Sequence, residues 1–249
     1  MTSIRTAPRI LAFDVVDSTN AEARRRAEAG EAGPVWITAT RQTAGRGRRG
    51  RSWETGAGNL AATLLMVTDR PAAEAAQVSF VAALAVADLA SAYLPAERVK
   101  LKWPNDVMVS GRKLAGILVE SGAREEGGLW LAIGIGVNLA SAPAAADRPA
   151  TTVAHEAQTP PPEPLAALEG LAAAFSEWLL RWDARGFPPI AEAWTERAYG
   201  LGETCTARLP GEEIEGVAEG LDGDGALRLR LRDGRLRRIT AGDVFFGAA

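Results

Sequence analysis

Residues 99–120, VKLKWPNDVMVSGRKLAGILVE, decide the fold. Three strand-like runs are packed into this stretch, Val99–Trp103, Asp106–Val109 and Leu114–Glu120. Apolar and β-branched residues dominate each run, and Pro104-Asn105 and Ser110-Gly111 separate them as turn residues. The second break reads as a hairpin in which Ser110-Gly111-Arg112-Lys113 enters the third strand, so Lys113 sits at a strand mouth. Two lysines, an arginine, an asparagine and an aspartate thereby gather at the ends of adjacent strands, where open α/β sheets hold ligands. A plainer reading is also open: Leu114, Ile117 and Val119 are core, and Pro104-Asn105 is only a turn.

Outward from this stretch, further strand-like runs occupy Arg9–Asp14, Val35–Thr40, Leu60–Val67 and Leu129–Asn138. Helical patterns lie between and after them at Ala21–Ala29, Ala73–Tyr93, Leu165–Arg185 and Ile190–Ala198. The interleaving predicts an α/β (α+β) layer architecture, a mixed central sheet with flanking helices. Thr19-Asn20-Ala21-Glu22 has the capping-box pattern, in which Thr19 and Glu22 satisfy each other's orphan amides. Ser141–Pro164, rich in alanine and proline, reads as a variable surface loop. After Gly200-Leu201-Gly202 the texture changes to short strands at Thr204–Leu209, Glu213–Glu219, Ala226–Leu231 and Arg235–Thr240, joined by Pro210-Gly211, Asp222-Gly223-Asp224-Gly225 and Asp233-Gly234. Residues 1–200 and 201–249 are therefore expected to form two domains, the second a small β-barrel.

Composition narrows the function. The chain has 249 residues and is 47% hydrophobic, 24% charged, with a formal net charge of −3. That balance argues against a surface built to coat DNA or anionic lipid. No apolar run of membrane-spanning length and no secretory leader is read from the sequence, so the cytoplasm is the expected compartment. The single cysteine, Cys205, cannot form an internal disulfide, and one histidine, His155, leaves too few soft ligands for zinc. Any metal should be a hard, oxygen-bound ion.

Against this background Gly45-Arg46-Gly47-Arg48-Arg49-Gly50-Arg51 stands out, with four guanidiniums, three glycines and no acid. The arginines repel one another and the glycines lose extra entropy on ordering, costs that a bound anion would offset. By composition alone this could be a solvated face or an RNA-binding segment. Its place after a strand, and before Ser52-Trp53-Glu54 and the Gly56-Ala57-Gly58-Asn59 turn, suits an active-site flap better than a tail. Asp17-Ser18-Thr19-Asn20 and Gly134-Ile135-Gly136-Val137-Asn138 complete the set, though helix capping and a kinked buried strand explain them equally well when each is taken alone. His155, Cys205 and the Trp178/Trp182 pair read as structural.

In this order, these segments resemble the catalytic core of the biotin protein ligases over about residues 10–140. The final strands resemble that family's small SH3-like C-terminal barrel, mainly through Gly220–Leu227. The resemblance implies that biotin and ATP are substrates, that biotinyl-adenylate is formed, and that biotin passes to a lysine of a biotin carboxyl carrier protein. It implies that Arg48 and Lys113 are catalytic, with Arg46 assisting. Ser18, Thr19, Asn20 and Gln42 would hold biotin's ureido and carboxylate ends, Trp53 would pack on the adenylate, and Gly45, Gly47, Gly116 and Asn138 would complete the site. Mg2+ would accompany ATP, with Asp106 or Asn138 as its protein contact. Lipoate–protein ligase is the rival enzyme and a nucleic-acid-binding module the rival of another class. The first catalytic strand begins about eight residues after Met1, so no N-terminal helix-turn-helix and no specific DNA binding are expected. A homodimer paired through an edge strand near Leu129–Asn138 is left open.

Overall fold

The computed structural model describes residues 9–143, 149–157 and 159–247. A seven-stranded sheet forms the body, from β1 (Arg9–Val16), β2 (Val35–Gln42), β3 (Leu60–Thr68), β4 (Val99–Lys102), β5 (Asp106–Val109), β6 (Arg112–Ala123) and β7 (Leu129–Val137). Its order is β1-β2-β3-β7-β6-β5-β4, with β1 and β2 parallel and every other neighbouring pair antiparallel. The expected mixed sheet is therefore present. β7 lies in its interior between β3 and β6, so the expectation that Leu129–Asn138 offers an edge for pairing with a second copy is wrong: its backbone groups are already spent on both neighbours.

Alternation along the strands divides two apolar layers. On one face Trp36, Leu60, Leu64 and Ile133 join the main core with α3 (Val78–Ser91), α5 (Pro164–Arg185) and α6 (Pro188–Glu196). On the other, Val35, Ile37, Leu65 and Ala132 pack beneath α1 (Thr19–Glu28). The apolar stretch expected at Ala73–Tyr93 is broken into α2 (Ala72–Ala75) and α3, and eleven of the fourteen residues of α3 are buried. Taken together, Ala72–Ser91 is long and apolar enough to cross a bilayer, contrary to expectation. It is spent instead on the protein core, where α3 lies against α5 and the sheet.

Two local expectations are also corrected. No capping box forms: Ser18 is the N-cap without a side-chain bond, Thr19 is buried, and Glu22 pairs with Arg25 and Arg26. The supposed surface loop at Ser141–Pro164 contains a buried segment around α4 (Val153–Glu156), with Thr151, Thr152 and Val153 all nearly inaccessible. Residues 144–148 and 158 of that loop lie outside the described residues. The expected small C-terminal β unit is present: β8 (Thr204–Leu209), β9 (Glu212–Leu221), β10 (Leu227–Arg230), β11 (Leu236–Ile239) and β12 (Asp243–Phe246) form a five-stranded antiparallel sheet in the order β11-β10-β9-β8-β12. The strand β12 had no counterpart in the sequence reading. This sheet adds Ala207, Leu227, Leu229 and Val244 to the main core, and the Trp103 indole donates to the Gly225 carbonyl at 3.1 Å.

Candidate active site

Two rows of cross-strand neighbours floor an open cleft of about 740 Å³ on the face that carries α1. One row runs Ala61, Gly136, Gly116, Asp106 across β3, β7, β6 and β5, and the next runs Thr63, Gly134, Leu118. The glycines are required by what lies over them. A Cβ on Gly136 would stand 2.3 Å from Trp53 Cε2, and one on Gly134 would stand 2.2 Å from Asn20 Oδ1. The kinked-strand reading of Gly134 and Gly136 thus gives way to a packing reason: their missing side chains make the space the cleft uses.

At one end of the floor Ser18, Thr19, Asn20 and Gln42 converge from α1 and β2. Gln42 Oε1 accepts from the Thr19 backbone N–H at 2.8 Å, and its amide nitrogen donates to Thr55 at 3.0 Å. Asn20 Nδ2 donates to Glu120 at 2.8 Å and to the Leu118 carbonyl at 3.2 Å. The fully buried Thr63 hydroxyl lies 2.7 Å from Asn20 Oδ1 and 2.8 Å from Thr19 Oγ1. An amide oxygen only accepts, so Thr63 donates to Asn20 and accepts from Thr19, which fixes both side chains. Sequence reasoning had no signal for Thr63, since a threonine inside an apolar strand looks like any β-former.

At the other end stands Lys113, whose ammonium is 2.5 Å from Asp106 Oδ1 and 5.6 Å from the centroid of the Trp53 ring. Above both ends arches the arginine segment, closed by a single turn at Arg48–Gly50 in which Arg49 adopts the left-handed φ of 56°. Arg46 reaches Glu120 at 3.1 Å. Arg48 is half-buried, donating to Asn105 Oδ1 and to the Gly242 carbonyl, each at 3.1 Å. Burial lowers the proton affinity of its guanidinium, and the nearby Asp243 and Asp106 oppose that shift. Asn105 is held in turn by its bond to the Ile117 carbonyl at 2.7 Å.

Sequence reasoning missed Asp243. This carboxylate, at the start of β12 with its side chain 8% exposed, faces Arg51 at 2.5 Å, Arg49 at 3.5 Å and Arg48 at 3.8 Å. A lone Asp in a Gly-Asp turn carries no sequence signal, and its role depends on the C-terminal sheet docking beside the loop.

Ser18, Thr19, Asn20, Gln42, Arg46, Gly47, Arg48, Trp53, Asp106, Lys113 and Gly116 all line the cleft. Gly45 and Asn138 do not. Gly45 shapes the base of the flap, where its carbonyl accepts from the Trp53 N–H at 2.9 Å and a Cβ would strike the Trp53 carbonyl. Asn138 is buried at the end of β7 and donates to the Thr151 carbonyl at 3.2 Å, so its amide is turned into the protein rather than toward a metal or nucleotide. Among the described residues no group of three or more His, Cys, Asp or Glu side chains could hold a metal ion. Asp106 is the carboxylate on the cleft floor beside Lys113, and by itself it supplies too few oxygens to cage a metal ion.

The chain is 49% identical over 236 residues to a biotin–[acetyl-CoA-carboxylase] ligase of Paracoccus denitrificans, covering 93% of this chain and 98% of that protein. Its fold superposes with a TM-score of 0.80 on a biotin protein ligase from Aquifex aeolicus solved with biotin and ATP, at 25% identity, covering 97% of this chain and 99% of that one. A biotin protein ligase from Leishmania major solved with biotinyl-5-AMP superposes with a TM-score of 0.68 at 26% identity, covering 95% of this chain and all of that one. The family model of the biotin/lipoate A/B protein ligases matches residues 12–138, and that of the biotin protein ligase C-terminal domain matches residues 200–247. With the catalytic segment and the C-terminal sheet each matched, the chain belongs to the biotin/lipoate A/B protein ligase family.

Proposed function

We propose that this protein is a biotin protein ligase that joins biotin to ATP as biotinyl-adenylate and then transfers the biotinyl group to a lysine of a carboxylase's biotin carrier protein. The observation that carries this reading is the convergence of Arg46, Arg48 and Lys113 on one cleft whose far end presents a fixed set of amide and hydroxyl groups. Ser18, Thr19, Asn20 and Gln42 supply donors and acceptors matched to a cyclic urea, and the glycine floor leaves room for the bicyclic ring system and its chain.

In the first step a biotin carboxylate oxygen forms a bond to the α-phosphorus, and the bond from that phosphorus to the bridging oxygen breaks as pyrophosphate leaves. Two anions must approach, and at about 4 Å with an effective dielectric near 20 their repulsion is about 4 kcal/mol. Lys113 and the arginines offset it. Arg48, held by Asn105 and Gly242, offers its fork to phosphate oxygens, while Lys113 supplies a compact charge at the reacting carboxylate. Trp53 covers the adenylate, and closure of the flap keeps water from the mixed anhydride. Mg2+ on the phosphates would neutralise charge on the leaving pyrophosphate, with Asp106 as its protein contact. In the second step the carrier's neutral lysine amine attacks the acyl carbon, AMP leaves, and the amine gives up its proton. No protein nucleophile is needed. We place this reaction in the cytoplasm, with residues 1–200 as the catalytic domain and 201–249 as the domain that supplies Asp243.

The test is biotin-dependent exchange of labelled pyrophosphate into ATP, run beside lipoate. Exchange with biotin and suppression by Lys113→Ala are expected. Exchange with lipoate but not biotin would transfer the assignment to a lipoate ligase.

A further inference from the structure

We infer that Glu156 is a positioning residue for Lys113, acting through the bulge at the start of β6. The inference rests on the role assigned to Lys113 above. In a regular strand, residues three apart point to opposite faces, yet Lys113 and Gly116 both front the cleft. The pairing of β5 with β6 explains this: Val107 faces Ala115 but Met108 faces Lys113, so Leu114 is an extra residue in the ladder. A bulge re-aims side chains, and moving it by one residue would exchange the outlooks of Arg112 and Lys113.

What holds the bulge in place lies behind the cleft. Residues 149–151 run beside Lys113, whose N–H donates to the Pro149 carbonyl and whose carbonyl accepts from the Thr151 N–H, each at 2.9 Å. That segment is tied to Asn138, which donates to the Thr151 carbonyl and accepts from the Val153 N–H. Glu156 closes the assembly. Its side chain is 2% exposed and meets Arg112 at 2.5 Å, the Thr151 hydroxyl at 2.6 Å, and Arg98. Arg98 also donates to the Ser110 hydroxyl in the hairpin turn, and Arg112 lies 3.3 Å from His155 Nε2. A buried carboxylate thus pins Arg112 to the back of the strand and fastens the turn before it, leaving Lys113 directed at Asp106 and the cleft.

The experiment compares Glu156→Gln, Glu156→Ala and Glu156→Asp in the native and Lys113→Ala backgrounds, reading biotin-dependent pyrophosphate exchange with saturation curves for biotin and ATP. The expected result is a tenfold or greater fall in kcat for the Gln and Ala variants, KM for both substrates within about twofold, and partial recovery in the Asp variant. In the Lys113→Ala background the same changes should alter kcat by less than twofold. An equal fall in both backgrounds would assign Glu156 to general structure, and no fall in the native background would also overturn the inference. Lys113→Ala with native exchange would instead sink the role of Lys113. Should the Glu156 variants fail to fold, Arg112→Ala, which removes the outer partner, carries the same comparison.

Discussion

Arg51 and Asp243, 192 positions apart in sequence, meet at 2.5 Å and join the arginine flap to the C-terminal sheet. Arg49 and Arg48 lean on the same carboxylate, so the mutual repulsion of these three arginines is answered by one acid from elsewhere in the chain, while Arg46 pairs with Glu120. Asp243→Asn should therefore loosen the flap. Trypsin cleavage within Gly45–Arg51 is expected to become several-fold faster, with global stability falling by only about 1 kcal/mol because the arginines remain partly solvated. Biotin with ATP should slow the cleavage in the native protein, and equal rates with and without them would refute flap closure.

Arg48 and Lys113 should fail differently. Losing charge-assisted hydrogen bonds worth about 1.5–3 kcal/mol, Arg48→Ala should release biotinyl-adenylate about 10–100-fold faster, as read by chasing labelled adenylate from the enzyme. Lys113→Ala should reduce the rate of adenylate formation in a single turnover, with the far-ultraviolet circular dichroism unchanged.

The glycine floor makes a separable prediction. In Gly134→Ala the new methyl displaces Asn20, and loss of about one hydrogen bond to biotin should raise KM for biotin about tenfold. In Gly136→Ala the methyl displaces Trp53, and KM for ATP should rise instead. Parallel rises in both constants for both variants would contradict the division of the cleft.

Acid should act through Glu156. Burial pushes its carboxyl up, but the Thr151 hydroxyl, Arg112, Arg98 and His155 outweigh this and hold it below the ordinary value of 4.5. A carboxyl depressed in the folded state adds stability that is complete above the unfolded value and is lost as pH falls through the folded one. Native protein should exceed Glu156→Gln by about 2 kcal/mol at pH 7 in urea titrations, with the gap closing as the pH drops below about 4.5. A gap that stays constant into acid would exclude the charge as its source.

Cys205 should be chemically silent. Burial pushes its thiol up to about 11, although Lys102 opposes the shift. At pH 8 little thiolate exists, so alkylation by iodoacetamide should follow unfolding rather than precede it.

Most of the strands were legible because their signals are local. Asp106–Val109 matched its expected limits, and Val35, Leu60, Val99 and Leu129 each began a strand as read, because β-branched runs bounded by turn residues need no distant partner to be recognised. Charge and spacing alone drew attention to the arginine–glycine segment and Lys113 but left a solvated face and a plain turn open, and only the family resemblance gave them a role. The sequence by itself determined most of the strands and long helices and marked the charged segments, but not β12, Thr63 or Asp243. Tertiary structure alone decided that β7 is interior, that Thr19 serves the cleft rather than a cap, and that Asn138 faces inward. It alone brought Asp243 to the flap and Glu156 behind Lys113. These depend on strand order, a one-residue bulge and the docking of a second sheet, which are set by long-range packing and leave no periodic or compositional trace.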